Sequence, residues 1–252
     1  MEENRVIATG SKNIPSYRLK KIERQKELHK KRKIILGCSL ALLFLVFSTF
    51  GIFVISNIGL KYTSNGDGTC YVSDTGIFIQ SDVEIPSEYK GMRVMGISYD
   101  AFWGRYNLKN ITIPDSVIRI GEEAFADCEV LTSITVDANN PNYASLNGVL
   151  FNKEKTKLIC YPAGKMGAYR ISNDVTSIGE GAFHGCEGLT SITIPDSVTS
   201  IGDRAFFVCS SLTNIRFNGT KRQWNAISKG SSWNYKIPAT EVICSDGKVY
   251  IG

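Results

Sequence analysis

Residues 189–211 read LTSITIPDSVTSIGDRAFFVCSS, and the 23 residues before them, 166–188, read MGAYRISNDVTSIGEGAFHGCEG. The stretch 108–130 carries the same template as LKNITIPDSVIRIGEEAFADCEV. The matched apolar positions are Leu108, Met166 and Leu189; Ile111, Tyr169 and Ile192; Ile113, Ile171 and Ile194; Val117, Val175 and Val198; and Ile120, Ile178 and Ile201. An Ala-Phe pair follows in every copy. A fixed period of this length predicts a solenoid of stacked repeats.

Each copy has the pattern of two short strands and a turn. Leu-x-x-Ile-x-Ile alternates apolar and polar residues, which is typical of a strand with one buried face. Pro114 and Pro195 end that strand, because proline lacks the amide hydrogen that a sheet ladder needs. Val-x-x-Ile-Gly predicts a second short strand, with a bend at Gly121, Gly179 or Gly202, and Glu/Asp-x-Ala-Phe predicts one short helical turn. No single repeat can bury its apolar face alone, so neighbouring repeats must stack.

The template Leu-x-x-Ile-x-Ile-Pro-x-x-Val-x-x-Ile-Gly-x-x-Ala-Phe-x-x-Cys resembles the BspA-type leucine-rich repeats of bacterial surface proteins. The resemblance extends over roughly Cys70 to Gly252. It implies a curved, β-rich leucine-rich-repeat solenoid that is used on cell surfaces, generally for binding. It implies no catalytic mechanism, since a fold alone does not define a function.

A membrane anchor is predicted at residues 34–58. No charged residue occurs between Ile34 and Leu60, and about 20 apolar residues are enough to cross a bilayer core of about 30 Å. The run HKKRK at 29–33 precedes this span, so we expect residues 1–33 to be a cytoplasmic tail and the repeats to be extracellular. The span is longer than a signal peptide's apolar region and lacks an Ala-x-Ala site, which favours an uncleaved signal anchor.

The charge distribution argues against nucleic acid as a partner. Residues 1–33 hold eleven Lys/Arg and four Asp/Glu, which leaves 18 basic and 20 acidic residues for the rest of the chain. The repeat region is therefore slightly acidic and lacks the basic surface of a nucleic-acid binder. The basic tail is interpreted as a topology signal next to anionic lipid, with signalling as the alternative.

The remaining chain divides into a linker at 59–69 and a repeat domain at 70–252. Residues 70–107 are predicted to be an N-terminal cap with a hairpin turned at Gly76 and a divergent first repeat. The repeats then span 108–217, and 218–252 form a C-terminal cap. The C-terminal cap is predicted to contain a helix that begins with the capping box Thr220-x-x-Gln223 and a hairpin turned at Asp246-Gly247. Trp224 and Trp233 are expected to cover the open end of the core, or alternatively to form a ligand-binding aromatic platform.

The stretch 137–164 interrupts the period, because Leu131 and Met166 are 35 residues apart. Two apolar runs, Val149–Phe151 and Leu158–Tyr161, flank the charged turn NKEKT and predict a hairpin. Insertions in solenoids usually protrude from one face, often the binding face. We therefore expect this hairpin to protrude.

The sequence predicts neither an enzyme nor a metal or cofactor site. Cys128, Cys186 and Cys209 recur with the template, so we expect an inward ladder of small core residues, with a disulfide between neighbouring rungs left open. No paired Cys or His spacing typical of zinc occurs. A His184–Cys186 dyad would need a thiol that the repeat points inward.

A polar strand face is the remaining candidate site. The outward residues singled out for binding are Thr112, Thr135, Arg170, Thr193 and Arg216. The alternative is that threonine is simply a good exposed strand residue. The resulting hypothesis is a membrane-anchored extracellular module that binds an unknown protein or polysaccharide. A sensory or scaffold subunit that relays binding to a cytoplasmic partner of residues 1–33 is the second hypothesis.

Overall fold

A computed structural model describes residues 59–76 and 79–251 of the chain. The predicted tail at 1–33 and the predicted membrane helix at 34–58 lie outside these residues. Within the described part, no helix is both long enough and apolar enough to cross a membrane.

Short strands dominate the described residues. In chain order they are β1 (Leu60–Ser64), β2 (Thr69–Thr75), β3 (Asp82–Glu84), β4 (Glu88–Tyr89), β5 (Met92–Ile97), β6 (Asn110–Ile113), β7 (Arg119–Ile120), β8 (Ser133–Val136), β9 (Tyr143–Leu146), β10 (Val149–Asn152), β11 (Lys157–Cys160), β12 (Gly167–Arg170), β13 (Ser177–Ile178), β14 (Leu189–Ile194), β15 (Ser200–Ile201), β16 (Asn214–Phe217), β17 (Ser228–Lys229), β18 (Glu241–Cys244) and β19 (Gly247–Tyr250). The helix α1 (Lys221–Ala226) lies between β16 and β17.

The repeats stack as the 23-residue period predicts. The Leu-x-x-Ile-x-Ile segments form two parallel ladders, β3-β6-β8 in the first half and β12-β14-β16-β18 in the second. The Val-x-x-Ile segments form a second pair of parallel ladders, β5-β7 and β11-β13-β15-β17. The predicted leucine-rich-repeat solenoid is confirmed. Each half has two parallel ladders, one formed by the Leu-x-x-Ile-x-Ile segments and one formed by the Val-x-x-Ile segments.

The Ala-Phe segments form the third side of each repeat, as turns rather than the predicted helical turn. Glu123 and Asp127 have φ values of 54° and 55°, so the backbone enters the left-handed region on both sides of Phe125. Amides of each turn donate to carbonyls of the next, as from Phe183 N–H to Ala205 O at 2.7 Å. The phenylalanine rings are thereby stacked in the core, where Phe183 and Phe206 lie 4.8 Å apart.

The template glycines serve close stacking rather than the predicted bend. A Cβ on Gly202 would lie 2.5 Å from Glu180 N and 2.7 Å from Gly179 C. A Cβ on Gly121 would lie 2.2 Å from Tyr99 N. Carbon atoms do not approach backbone atoms so closely, so any side chain at these positions would push neighbouring repeats apart.

Replacing Gly202 with alanine is expected to lower the free energy of unfolding by about 2–3 kcal/mol, because the neighbouring backbone must move. The matched control is Ser98→Ala, since Ser98 occupies the same template position in the first repeat. Urea unfolding followed by tryptophan fluorescence measures both variants. Equal shifts of the two midpoints would contradict the close-stacking role.

The insertion at 137–164 is part of the core, so the expectation that it protrudes is wrong. The predicted hairpin is present, with β10 antiparallel to β11, and β9 adds a third strand through a turn at Asn147-Gly148. All three side chains of Val149–Phe151 are buried. Val149 and Phe151 belong to one hydrophobic cluster and Leu150 to another. The insertion therefore lies between two cores, because both faces of β10 are apolar.

The predicted linker at 59–69 begins the N-terminal cap. Residues 60–64 form β1, which pairs antiparallel with β2, so the cap hairpin turns at 65–68 rather than at the predicted Gly76. Leu60 and Tyr62 pack against the hydrophobic cluster that contains Leu150, and the Tyr62 ring stacks on Tyr89 at 3.9 Å. This alternation of apolar residues on β1 is what adds the strand to the cap.

Met166 departs from its template position. Leu108 and Leu189 are fully buried there, whereas Met166 is 82% exposed. The strand β12 begins only at Gly167, and its pairing with β14 shifts register directly after that residue. The chain leaves the insertion through a turn, so its first apolar residue lies outside the stack.

The C-terminal cap has its predicted parts. The Thr220 side chain accepts from Gln223 N–H, and the Gln223 side chain contacts the Thr220 backbone, which completes the capping box of α1. Trp224 and Trp233 are 1% and 9% exposed and close the end of the core, so they offer no open aromatic platform. The hairpin β18-β19 pairs Cys244 with Gly247, which places its turn one residue earlier than predicted.

Candidate functional site

The second half of the solenoid brings three of the predicted binding residues into one row. Strand pairing places Arg170 opposite Thr193 and Thr193 opposite Arg216. The two arginines are exposed and Thr193 is half-buried, while the flanking isoleucines Ile192 and Ile194 point into the core. Alternation along β14 therefore fixes which side chains reach solvent. We call Arg170, Thr193 and Arg216 the arginine row.

The other two predicted residues lie in a separate sheet. Thr112 and Thr135 are exposed and opposite each other on β6 and β8, and Glu84 on β3 extends that row. The insertion stands at the edge of β8, where Ile134 N–H donates to Gly148 O at 2.9 Å. The five residues predicted as one stripe thus form two rows, one ending in a carboxylate and the other carrying two guanidinium groups.

The arginine row continues onto the C-terminal cap. Arg216 is opposite Ile243, and Ile243 is opposite Lys248 on the edge strand β19. The hydrogen bond and ion pair of Lys248 Nζ with Glu241 Oε1, at 2.5 Å, raise the pKa of Lys248. Tyr250, two residues along β19, is 79% exposed. The outward face of this sheet therefore combines cations, hydroxyl groups and apolar surface.

A charged cluster that the sequence patterns did not predict lies on the turn side of the solenoid. Glu123 Oε1 lies 3.3 Å from Arg204 Nη1 and 3.8 Å from His184 Nδ1. Asp127 Oδ1 lies 3.5 Å from His184 Nε2, and Arg204 Nη1 also lies 3.6 Å from Glu180 Oε1. The Glu123 side chain is only 5% exposed. We call these five residues the junction cluster, because it joins repeats on opposite sides of the insertion.

The cluster forms because the turn of repeat 108–130 meets the turn of repeat 166–188. A Cβ on Gly181 would lie 2.7 Å from Glu123 Cγ, and one on Gly185 would lie 2.3 Å from Asp127 Oδ1. The next copy carries Arg204 and Val208 at these two template positions. Gly181 and Gly185, a pair that only repeat 166–188 has at these positions, were the sequence feature that could have indicated the contact between the two turns.

A polar cleft of about 760 Å³ lies beside the junction cluster. Three serines in register on β13, β15 and β17 line it, and the Oγ atoms of the first two are 3.0 Å apart. The lining side chains with polar atoms include Tyr143, Asn152, Lys157, Ser177, Ser200 and Ser228. Their hydroxyl, amide and amine groups could hydrogen-bond a polar ligand.

The repeat cysteines are core residues, as predicted. The thiols of Cys128 and Cys209 donate to the carbonyls of Phe102 and Phe183, each at 3.0 Å, and all three template cysteines are fully buried. Burial raises the pKa of Cys128 to about 12 and that of Cys186 well above its ordinary value. Such thiols stay protonated and are poor nucleophiles.

His184 and Cys186, which the sequence argued against as a catalytic dyad, have different roles in the structure. The Cys186 thiol points inward, 3.5 Å from Tyr161 O, whereas the His184 ring contacts the carboxylates of Glu123 and Asp127. The six cysteines at 59–76 and 79–251 are free. In the same residues no group of three or more His, Cys, Asp or Glu is arranged to hold a metal ion.

Comparison with known proteins gives matches to one family. The family model described as BspA type leucine rich repeat region matches in six copies, over residues 95–166 and 157–235. Comparison with curated proteins gave no significant match. A leucine-rich repeat protein from Eubacterium ventriosum is 31% identical, with a TM-score of 0.55 over 67% of this chain and 43% of its own.

The pneumococcal vaccine antigen PcpA is similar in fold. It has a TM-score of 0.52 at 19% identity, over 69% of this chain and 53% of its own. The chain thus spans about half the length of these two solved proteins or somewhat less.

Proposed function

Because this chain belongs to the BspA-type leucine-rich repeat family, we propose that it is a membrane-anchored module that binds a protein partner outside the cell. The outward face of β12-β14-β16-β18 is the proposed binding surface, with the arginine row at its centre. Stacked repeats suit this function because the paired strands already hold the backbone positions of the exposed side chains before a ligand arrives, so little backbone entropy is lost on binding.

The observation that carries the proposal is the register of the arginine row. Three polar side chains from three different repeats, the two exposed arginines and the half-buried Thr193, stand on adjacent parallel strands and point the same way. Their spacing is fixed by the strand separation of about 4.8 Å. A partner can therefore contact residues that are 46 positions apart in sequence at one time.

The proposed location rests on the sequence before the described residues. Residues 34–58 carry no charged residue, and the run at 29–33 supplies the basic flank that directs the preceding tail to the cytoplasm. Only Gly59 separates the predicted span from the first strand of the cap. This short connection favours a partner close to the membrane surface.

Photo-crosslinking in intact cells tests the proposal. A photoreactive amino acid at Thr193 is expected to give one discrete adduct with a partner protein. The matched control is a probe at Thr199, an exposed threonine of the same repeat that precedes β15 on the other strand ladder. Adducts at both positions, or at neither while the protein is correctly inserted, would count against the strand-face site.

A further inference from the structure

The arginine row holds two cations with no partner of their own. In the described part of the chain, neither Arg170 nor Arg216 makes a side-chain hydrogen bond or an ion pair, whereas Lys248 on the same face is paired with Glu241 at 2.5 Å. Both arginines are exposed. Two uncompensated guanidinium groups on one rigid surface favour an anionic ligand, since the fork of arginine matches a carboxylate in a bidentate pair.

The distance between the two arginines is set by the sheet. Arg170 and Arg216 are separated by one intervening strand, β14, so their backbones are two strand separations, or about 10 Å, apart. Thr193 lies between them and adds a hydroxyl group to the row. An anionic ligand that contacts both arginines therefore needs two negative groups at about this spacing.

Two neighbouring residues distinguish an acidic protein segment from a phosphate polymer. Ile243 follows Arg216 in the row, and Tyr250 is 79% exposed on the adjacent edge strand. An apolar side chain next to a carboxylate can pack on this surface, whereas a polyphosphate has no apolar group to place there. Combined apolar and charge-assisted contacts are typical of protein interfaces.

We propose that the arginine row binds an acidic segment of the partner protein, with two carboxylates about 10 Å apart and an apolar residue beyond the second. This inference rests on the proposed function and specifies its ligand. A polyproline II segment rises about 3.1 Å per residue with three residues per turn, so acidic residues at i and i+3 point the same way about 9 Å apart. An extended strand places same-side residues about 7 Å apart, which does not fit.

The test uses the full-length chain in lipid nanodiscs and two fluorescent peptides of equal composition. One has aspartates at every third position, separated by Pro-Pro, and the other has its aspartates in adjacent pairs. The spaced peptide is expected to bind more tightly. Arg170→Ala with Arg216→Ala is expected to weaken its binding about tenfold, as for the loss of two exposed charge pairs.

The matched control removes two exposed arginines from elsewhere, Arg119 on β7 and Arg222 on α1, as a double alanine variant. It is expected to change the affinity less than twofold. Equal weakening by both double variants, or equal binding of both peptides, would show attraction by net charge alone and overturn the proposal. Binding of inorganic polyphosphate that exceeds peptide binding and is lost only in the arginine-row variant would identify a phosphate polymer and overturn it as well.

The crosslinking experiment separates this inference from the proposed function. If Thr193 gives a protein adduct that persists in the Arg170→Ala, Arg216→Ala variant, the binding face stands and the acidic ligand is wrong. If the adduct disappears in that variant and remains in the Arg119→Ala, Arg222→Ala control, both are supported. If Thr193 gives no adduct in the unchanged chain, the proposed function itself fails.

Discussion

Replacing Phe183 with alanine is expected to lower the free energy of unfolding by about 4 kcal/mol. Phe183 is fully buried, and its ring lies 4.8 Å from that of Phe206 and 5.1 Å from that of Tyr161. The substitution removes the ring that connects the insertion to the repeats that follow. Truncation of a buried phenylalanine costs about 3–5 kcal/mol, since both transfer free energy and cavity formation contribute.

Phe207 provides the matched control. It directly follows Phe206, the equivalent of Phe183 in the next repeat, but it is only half-buried. Phe207→Ala is expected to cost about 1–2 kcal/mol, since the ring is only partly buried and packs on His184 and Tyr235 outside the core. Urea unfolding of both variants, monitored by tryptophan fluorescence, gives the comparison. Similar losses from the two substitutions would contradict a continuous ring stack as the main stabilising element.

Replacing Glu123 with alanine is expected to cost about 3 kcal/mol. Its carboxylate is 5% exposed and contacts both Arg204 and His184, which lie on two other repeats. The Tyr99 hydroxyl also donates to Glu123 Oε2 at 3.3 Å. Removing one member of a buried ion pair leaves the opposite charge poorly compensated, and such changes cost about 3–5 kcal/mol. Arg204 keeps Glu180 at 3.6 Å, so we expect a loss at the lower end of this range. The adjacent, exposed Glu122→Ala is the control and is expected to cost less than about 0.5 kcal/mol.

A double-mutant cycle with Arg204→Ala identifies the cause. If the ion pair stabilises the junction, Glu123→Ala costs less in the Arg204→Ala background than in the unchanged chain. Strict additivity of the two losses would assign the effect of Glu123 to its packing and its contacts with Tyr99 and His184 rather than to the ion pair. Arg204 also lies 3.6 Å from Glu180, so some stabilisation by that carboxylate is lost with the arginine.

The repeat architecture could be predicted because its physical causes are local and periodic. The spacing of Ile192 and Ile194 fixes a strand with one buried face, and the cysteine three residues after each phenylalanine is buried in all three copies. The capping box at Thr220 is likewise encoded within four residues. Where neighbouring residues determine the structure, the pattern was sufficient.

The sites that were missed depend on contacts between distant parts of the chain. Glu123 and Arg204 are 81 residues apart, and they meet only because the insertion places the turns on either side of it against one another. No periodicity encodes that contact. The same insertion divides the predicted binding stripe, so that Thr135 and Arg170 lie in different sheets. The close backbone contact at Gly121 could not be predicted either. A glycine in the sequence is equally consistent with a bend and with a neighbour that leaves no room for a Cβ atom.

The repeat register has a consequence for how this surface can change over generations. Arg170 and Arg216 lie on strands separated by one whole repeat, and each repeat pairs with its neighbours through equivalent backbone atoms. In-frame loss of one 23-residue unit between them would leave two arginines on adjacent strands, and duplication would move them one strand further apart. The distance between the backbones of the two arginines therefore changes in steps of about 4.8 Å, one strand separation for each repeat gained or lost. Gain or loss of a whole repeat between the two arginines therefore changes their spacing by a whole strand separation and never by part of one.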